Sequence, residues 1–283
     1  MKRNTLNTFI TAALVMLVGV SSSAQAVVPA NSKITSTSTL DVGGETPLER
    51  SVTVTVNLQR SQPVIALKAS DQPNPSVATW IDKETQVLTY TYTITTTANG
   101  PATYTVNAAT AAENLTKDPI VRINATRDAN IDIGLGATAV SSIGGGRTVI
   151  TVPSDGRFSG KDPSTTVNGI KAGTTVKING QSYSVTEVVD DTGVDATITL
   201  GTVLPEGIER GTLIAEQAEF TVNLREVSLN TDVIDQTTVG LTVTASQGEG
   251  FEDLDADPND QSFLVIAPRD PEMQFYVRNT GDT

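Results

Sequence analysis

The chain has 283 residues, of which 18% are charged, and a formal net charge of −13, with neither histidine nor cysteine. Without imidazole or thiol it cannot build a Ser-His-Asp triad, a thiolate nucleophile, a histidine-ligated zinc or a disulfide, so no enzymatic activity is expected. The acidity also argues against nucleic acid and anionic membrane as partners, because phosphate recognition needs clustered Lys and Arg.

At the start of the chain, Lys2 and Arg3 precede a largely apolar stretch over residues 9–20, and Ala24-Gln25-Ala26 supplies small residues for cleavage. That order predicts a secretory signal over residues 1–26. The apolar stretch is roughly a dozen residues, short of the ~20 that a spanning helix needs. No later run is continuously apolar, so the expectation is a secreted protein, extracellular or at the cell surface, with no membrane insertion once the signal is removed.

Next come residues 32–40, a Thr/Ser-rich stretch suited to an extended conformation, and then alternation of apolar and polar residues that recurs through the chain. Val52, Val54, Val56 and Leu58 share one face, as do Leu88, Tyr90, Tyr92 and Ile94, and then Tyr104, Val106 and Ala108. Phe220, Val222 and Leu224 repeat the pattern, followed by Val239, Leu241, Val243 and Ala245. Period-2 alternation marks half-buried strands, and clusters such as Asp71-Gln72-Pro73-Asn74-Pro75 and Ala98-Asn99-Gly100-Pro101 mark the turns between them. Only residues 108–115 offer a short helix. The predicted fold is all-β, an antiparallel β-sandwich, because strands with one apolar face must bury it against a second sheet.

Gly144-Gly145-Gly146 reads as a flexible hinge, after which strands are shorter and glycines denser. Within this region Asn179-Gly180 predicts a type I′ hairpin that sets Ile178 opposite Gln181 and Val176 opposite Tyr183. Val176, Ile178, Tyr183 and Val185 then share one apolar face. The favoured organisation is a main sandwich over 27–143 and 217–283 carrying a small inserted β-barrel-like module over 144–216. Two consecutive domains without insertion remain the competing reading.

The run from Tyr90 through Thr91, Tyr92, Thr93, Ile94 and the turn Asn99-Gly100-Pro101 resembles the start of a repeat domain of bacterial surface proteins, in which a Tyr-Thr-Ile-Thr strand enters an Asn-Gly-Pro turn. That resemblance covers one strand, its turn and the next strand. It implies an immunoglobulin-like sandwich and a setting among adhesins, sheaths and cell-wall proteins. Residues 173–185 similarly resemble small β modules of phage and bacterial surface proteins.

Two segments near the C-terminus carry the candidate site residues. Asp253, Asp255, Asp257 and Asp260 alternate on a short acidic stretch, and several hard oxygens converging on one point suit Ca²⁺; the alternative is a solvated acidic loop. The stretch is not an EF-hand, since Pro258 and Leu264 stand where a glycine and the closing Glu belong. Asp190, Asp191 and Asp195 make a lesser acidic loop. Met273, Phe275, Tyr276 and Val277 lie on a short strand that, like residues 32–40, is able either to complete a neighbour's sheet or to remain an ordinary edge strand. The function expected from these features is an exported structural subunit of an extracellular filament, sheath or matrix, self-associating into a homopolymer through β-strand pairing. The alternative is a monomeric adhesin or glycan- or protein-binding module.

Overall fold

The computed structural model describes residues 27–40, 48–68, 79–81, 86–112, 115–228, 237–248, 251 and 261–268. In chain order the strands are β1 (Lys33–Leu40), β2 (Leu48–Thr55), β3 (Val64–Leu67), β4 (Thr79–Ile81), β5 (Gln86–Thr95), β6 (Ala102–Ala112), β7 (Ile120–Ile123) and β8 (Asn130–Leu135). There follow β9 (Ala137–Ala139), β10 (Ser142–Gly144), β11 (Val149–Pro153), β12 (Thr166–Val167), β13 (Ile170–Lys171), β14 (Thr175–Ile178), β15 (Gln181–Val189) and β16 (Asp195–Leu200). The last three are β17 (Leu213–Val227), β18 (Thr237–Ser246) and β19 (Gln261–Pro268). The fold is all-β, as the alternation predicts, and no α-helix occurs among the described residues.

Two sheets form a sandwich. One carries β3, β5, β17 and β7; the other has the order β4-β19-β18-β6-β8, antiparallel except where β4 meets β19. Their facing sides supply one core, in which Tyr92 and Ile94 of β5, Tyr104 and Val106 of β6, Val222 and Leu224 of β17, and Leu241 and Val243 of β18 are wholly buried. These are faces that the period-2 pattern picks out. Tyr92 lies directly across from Phe220, and their rings stack with centroids 5.6 Å apart, a contact worth about 0.5–1.5 kcal/mol beyond area burial. The Tyr104 hydroxyl, also buried, is shared between Thr96 Oγ1 at 2.7 Å and Ser61 Oγ at 3.0 Å.

Residues 108–112 of the helix expected over 108–115 are strand instead, since β6 continues to Ala112. Alanine favours helix locally, but residues 105–112 gain a full ladder to β18, and tertiary pairing outweighs a propensity difference of a few tenths of a kcal/mol per residue.

A second core gathers residues between Val140 and Ile214, among them Ile150, Ile170, Val176, Ile178 and Ile198, all fully buried. The Asn179-Gly180 turn adopts the positive φ angles of a type I′ hairpin, 48° and 83°, and the register is the predicted one, with Ile178 opposite Gln181 and Val176 opposite Tyr183. Strand order here is an open path, β10-β11-β16-β15-β14-β17, with β9 added on β17. Between β9 and β10, Val140 bonds to Thr212 and Gly211, and the Ser141 N–H to Thr151, so residues 137–144 touch both ends of that path. The glycine triplet read as a hinge is instead the closing turn of the β10–β11 hairpin. Gly145, Gly146 and Arg147 take left-handed angles in succession, and Arg147 Nε donates to the Leu204 carbonyl at 2.9 Å.

β17 serves both cores. Its first residues pair with β14 and β9, the later ones with β5 and β7, and Gln217 faces Thr175 on one neighbour and Thr95 on the next. At this handover the Glu216 N–H donates to the Gly136 carbonyl at 2.8 Å, the Glu216 carboxylate accepts the Gly136 N–H, and the Glu216 carbonyl accepts the Thr96 N–H. Burial pushes the Glu216 carboxyl above its ordinary value of 4.5, opposed by the Gly136 N–H and by the positive charge of Lys171.

Candidate functional site

β1 and β2 form a sheet of their own, paired residue for residue from Lys33 with Thr55 to Leu40 with Leu48. The expectation that Val52, Val54 and Leu58 line a buried face fails: they are 66%, 58% and 43% exposed, and Ile34, directly opposite Val54, is 53% exposed. The alternation is real, but no second sheet covers it among the described residues. Ile34, Val52 and Val54 share one side of the hairpin by register; the other side carries a hydroxyl ladder, Thr35 to Thr53 and Thr37 to Ser51, each at 2.9 Å. Such cross-strand pairs contribute about 0.2–1 kcal/mol each. A lone two-stranded hairpin is marginal in water, so this one depends on how it is held.

It is held at its base by the turn that follows β5. Asn99 is buried; its Oδ1 accepts the Gln59 N–H at 2.8 Å, and its Nδ2 donates to the carbonyls of Val28 at 3.1 Å and Asn57 at 3.3 Å. The Asn99 carbonyl accepts the Ala30 N–H at 2.8 Å. One residue therefore binds the chain entering the hairpin and the chain leaving it. Gly100 lets both approach: a Cβ there would lie 2.7 Å from that of Ala30 and 3.3 Å from Leu58 Cδ1. The Val56 N–H to Ser32 carbonyl and Asn31 N–H to Val56 carbonyl bonds close the base.

Beside the base is an open pocket of about 400 Å³, bounded by Val28 and Ile34 on the hairpin side and by Val140, between β9 and β10, and Pro153 of β11. Lys33 and Arg210 also line it, and among the described residues no acidic one does. Neither cation makes an ion pair among the described residues, where Lys68 pairs with Glu219, Lys117 with Glu226 and Arg157 with Asp155. The Lys117 partner holds the exposed Glu226 carboxyl below the ordinary carboxylate range. Ser32, on the pocket wall, has a buried hydroxyl without a hydrogen-bond partner among the described residues.

The remaining sequence-predicted residues fall elsewhere. Asp253, Asp255, Asp257 and Asp260, and likewise Met273, Phe275, Tyr276 and Val277, lie outside the described residues. Of the lesser acidic loop, Asp191 and Asp195 are exposed, while Asp190 is fully buried and turned inward. Its carboxylate accepts the Ser154 hydroxyl and, at 3.1 Å, the Gly193 N–H, which fixes a turn. Among the described residues no three acidic side chains gather as a metal cluster would require. Sequence reasoning missed Asn99 as an anchor and the cations Lys33 and Arg210. One signal for the hairpin's exposure was available, since 48–55 and 33–40 lack the tyrosines and phenylalanine of the core strands.

The site offers apolar contact, two strand edges without a partner among the described residues, and positive charge. No protein-family model and no curated protein matches the chain.

Proposed function

We propose that the chain is an exported structural subunit that associates with copies of itself into an extracellular filament, sheath or matrix, with the β1–β2 hairpin as its contact surface. The observation that carries this reading is the uncovered apolar row of Ile34, Val52 and Val54 on a hairpin whose outer edges have no strand partner among the described residues. Proteins that avoid edge pairing blunt their edges with charge, proline or bulges. Here Thr35 to Thr37 and their partners Ser51 to Thr53 carry no charge and no proline, the charges of Lys33, Glu49 and Arg50 lie toward the two ends of the ladder, and the register runs without a bulge. Such an edge is a template for β-strand addition.

Export is the reading of residues 1–26, and the absence of histidine and cysteine supports a role resting on packing and backbone pairing rather than catalysis. The test is the state of the purified mature chain, by sedimentation and by electron microscopy. Ordered polymers that are lost in the Val52→Asp, Val54→Asp double variant support the proposal. A chain that stays monomeric at high concentration overturns it and leaves the adhesin reading.

A further inference from the structure

The pocket at the hairpin base has a composition opposite to that of the chain around it. In a protein with 32 acidic and 19 basic residues, its wall holds Lys33 and Arg210 and, among the described residues, no carboxylate, set among apolar side chains. An occupant that fits has apolar side chains and nearby negative charge. β1 begins in this wall, at Lys33 and Ile34, and its outer edge runs away from the pocket without a strand partner among the described residues. An extended segment seated in the pocket is thereby led onto a free row of backbone donors and acceptors.

One stretch of the chain has that chemistry. Asp270 and Glu272 lie on the N-terminal side of Met273, Phe275, Tyr276 and Val277, with Arg269 before them and Arg278 after Val277; the run is dense in aromatic side chains for a protein that is only 4% aromatic. We infer that the pocket receives residues 273–277 of a second copy of the chain, with Lys33 and Arg210 facing Asp270 and Glu272. The aromatic side chains fill the apolar wall, the two cations select the register by charge, and the strand continues along β1. The inference rests on the self-assembly proposed above and names the segment that one subunit gives and the place where the next receives it.

The absence of cysteine makes a clean test possible. Full-length mature protein carrying Val28→Cys is mixed with protein carrying Gln274→Cys, and disulfide-linked pairs are counted by peptide mass spectrometry. The expected result is linkage between the two chains at about tenfold or more above a control pair using the exposed Val194→Cys, reflecting local effective concentration. Adding Lys33→Glu and Arg210→Glu to the Val28→Cys chain should bring the linkage down to the control. Linkage no higher than the control overturns the inference, as does a chain bearing both cysteines that links to itself in preference to its partner. If polymers form without this linkage, the pocket assignment fails and hairpin-mediated assembly stands. If neither appears, both fail.

Discussion

The side-chain oxygen of Asn99 accepts the Gln59 N–H at 2.8 Å, while the same side chain's nitrogen reaches the Val28 carbonyl at 3.1 Å. Two segments separated by the whole hairpin are thus tied by one amide. Asn99→Ala removes the partners of those backbone groups at a part-buried site, where water replaces some of them, and is expected to cost about 1 kcal/mol. Asn99→Asp keeps the acceptor and loses both donors, so its cost should be intermediate. Urea unfolding measures the totals, and amide exchange at Gln59 reports whether the loss is local to the hairpin base.

Gly100 and Gly134 should respond in opposite directions to alanine. At Gly100 the added methyl meets Ala30 and Leu58 and must displace one leg of the hairpin, at an expected cost of about 1–3 kcal/mol. At Gly134, in the strand β8, nothing lies within 4 Å of the new Cβ and the backbone needs no positive φ. There the lost chain entropy of glycine favours the variant by about 0.5–1 kcal/mol. Melting temperatures of the two single variants give the comparison.

Glu216 gives the fold a pH dependence with a definite sign. Because burial raises its folded-state pKa, the fold prefers the protonated carboxyl. The stability it contributes is complete below the ordinary value of 4.5 and declines as pH rises through the raised folded value. Glu216→Gln retains an acceptor for the Gly136 N–H and removes the buried charge. It should melt above the parent at neutral pH, and the gap should close as pH falls toward 4. A variant that melts lower throughout contradicts this account.

Val52→Thr with Val54→Thr separates folding from association. Both positions are more than half exposed, so unfolding free energy of the monomer should change by no more than about 0.5 kcal/mol. Val106→Thr, the same substitution at a fully buried position, should cost well over 1 kcal/mol. Self-association, read by sedimentation, should weaken in the hairpin double variant alone.

How much of this was legible in the sequence differs by element. The buried faces of β5, β6, β17 and β18 were readable because tyrosine, phenylalanine and leucine alternating with threonine leave one arrangement that hides large rings. The Asn179-Gly180 hairpin was readable because its two positive φ angles demand those residues. Val52 and Val54 show where the reasoning stops: alternation says that two faces differ, but not whether anything lies over the apolar one. The 108–115 segment failed for a related reason, since alanines take the conformation their pairing partners impose. Asn99 sat in a turn motif read only for its geometry, and its four long-range bonds depend on segments that sequence spacing does not bring together. Lys33 and Arg210 are 177 residues apart in number and meet only through the fold.

β17 is a single strand of 15 residues whose early part is laced to β14 and whose later part is laced to β5, with Gln217 common to both. Tension drawn along it loads those ladders in shear, with many bonds strained together instead of peeling apart one after another. The two cores then behave mechanically as knots on one cord: neither yields to a pull on β17 until the bonds gripping that cord give way in concert.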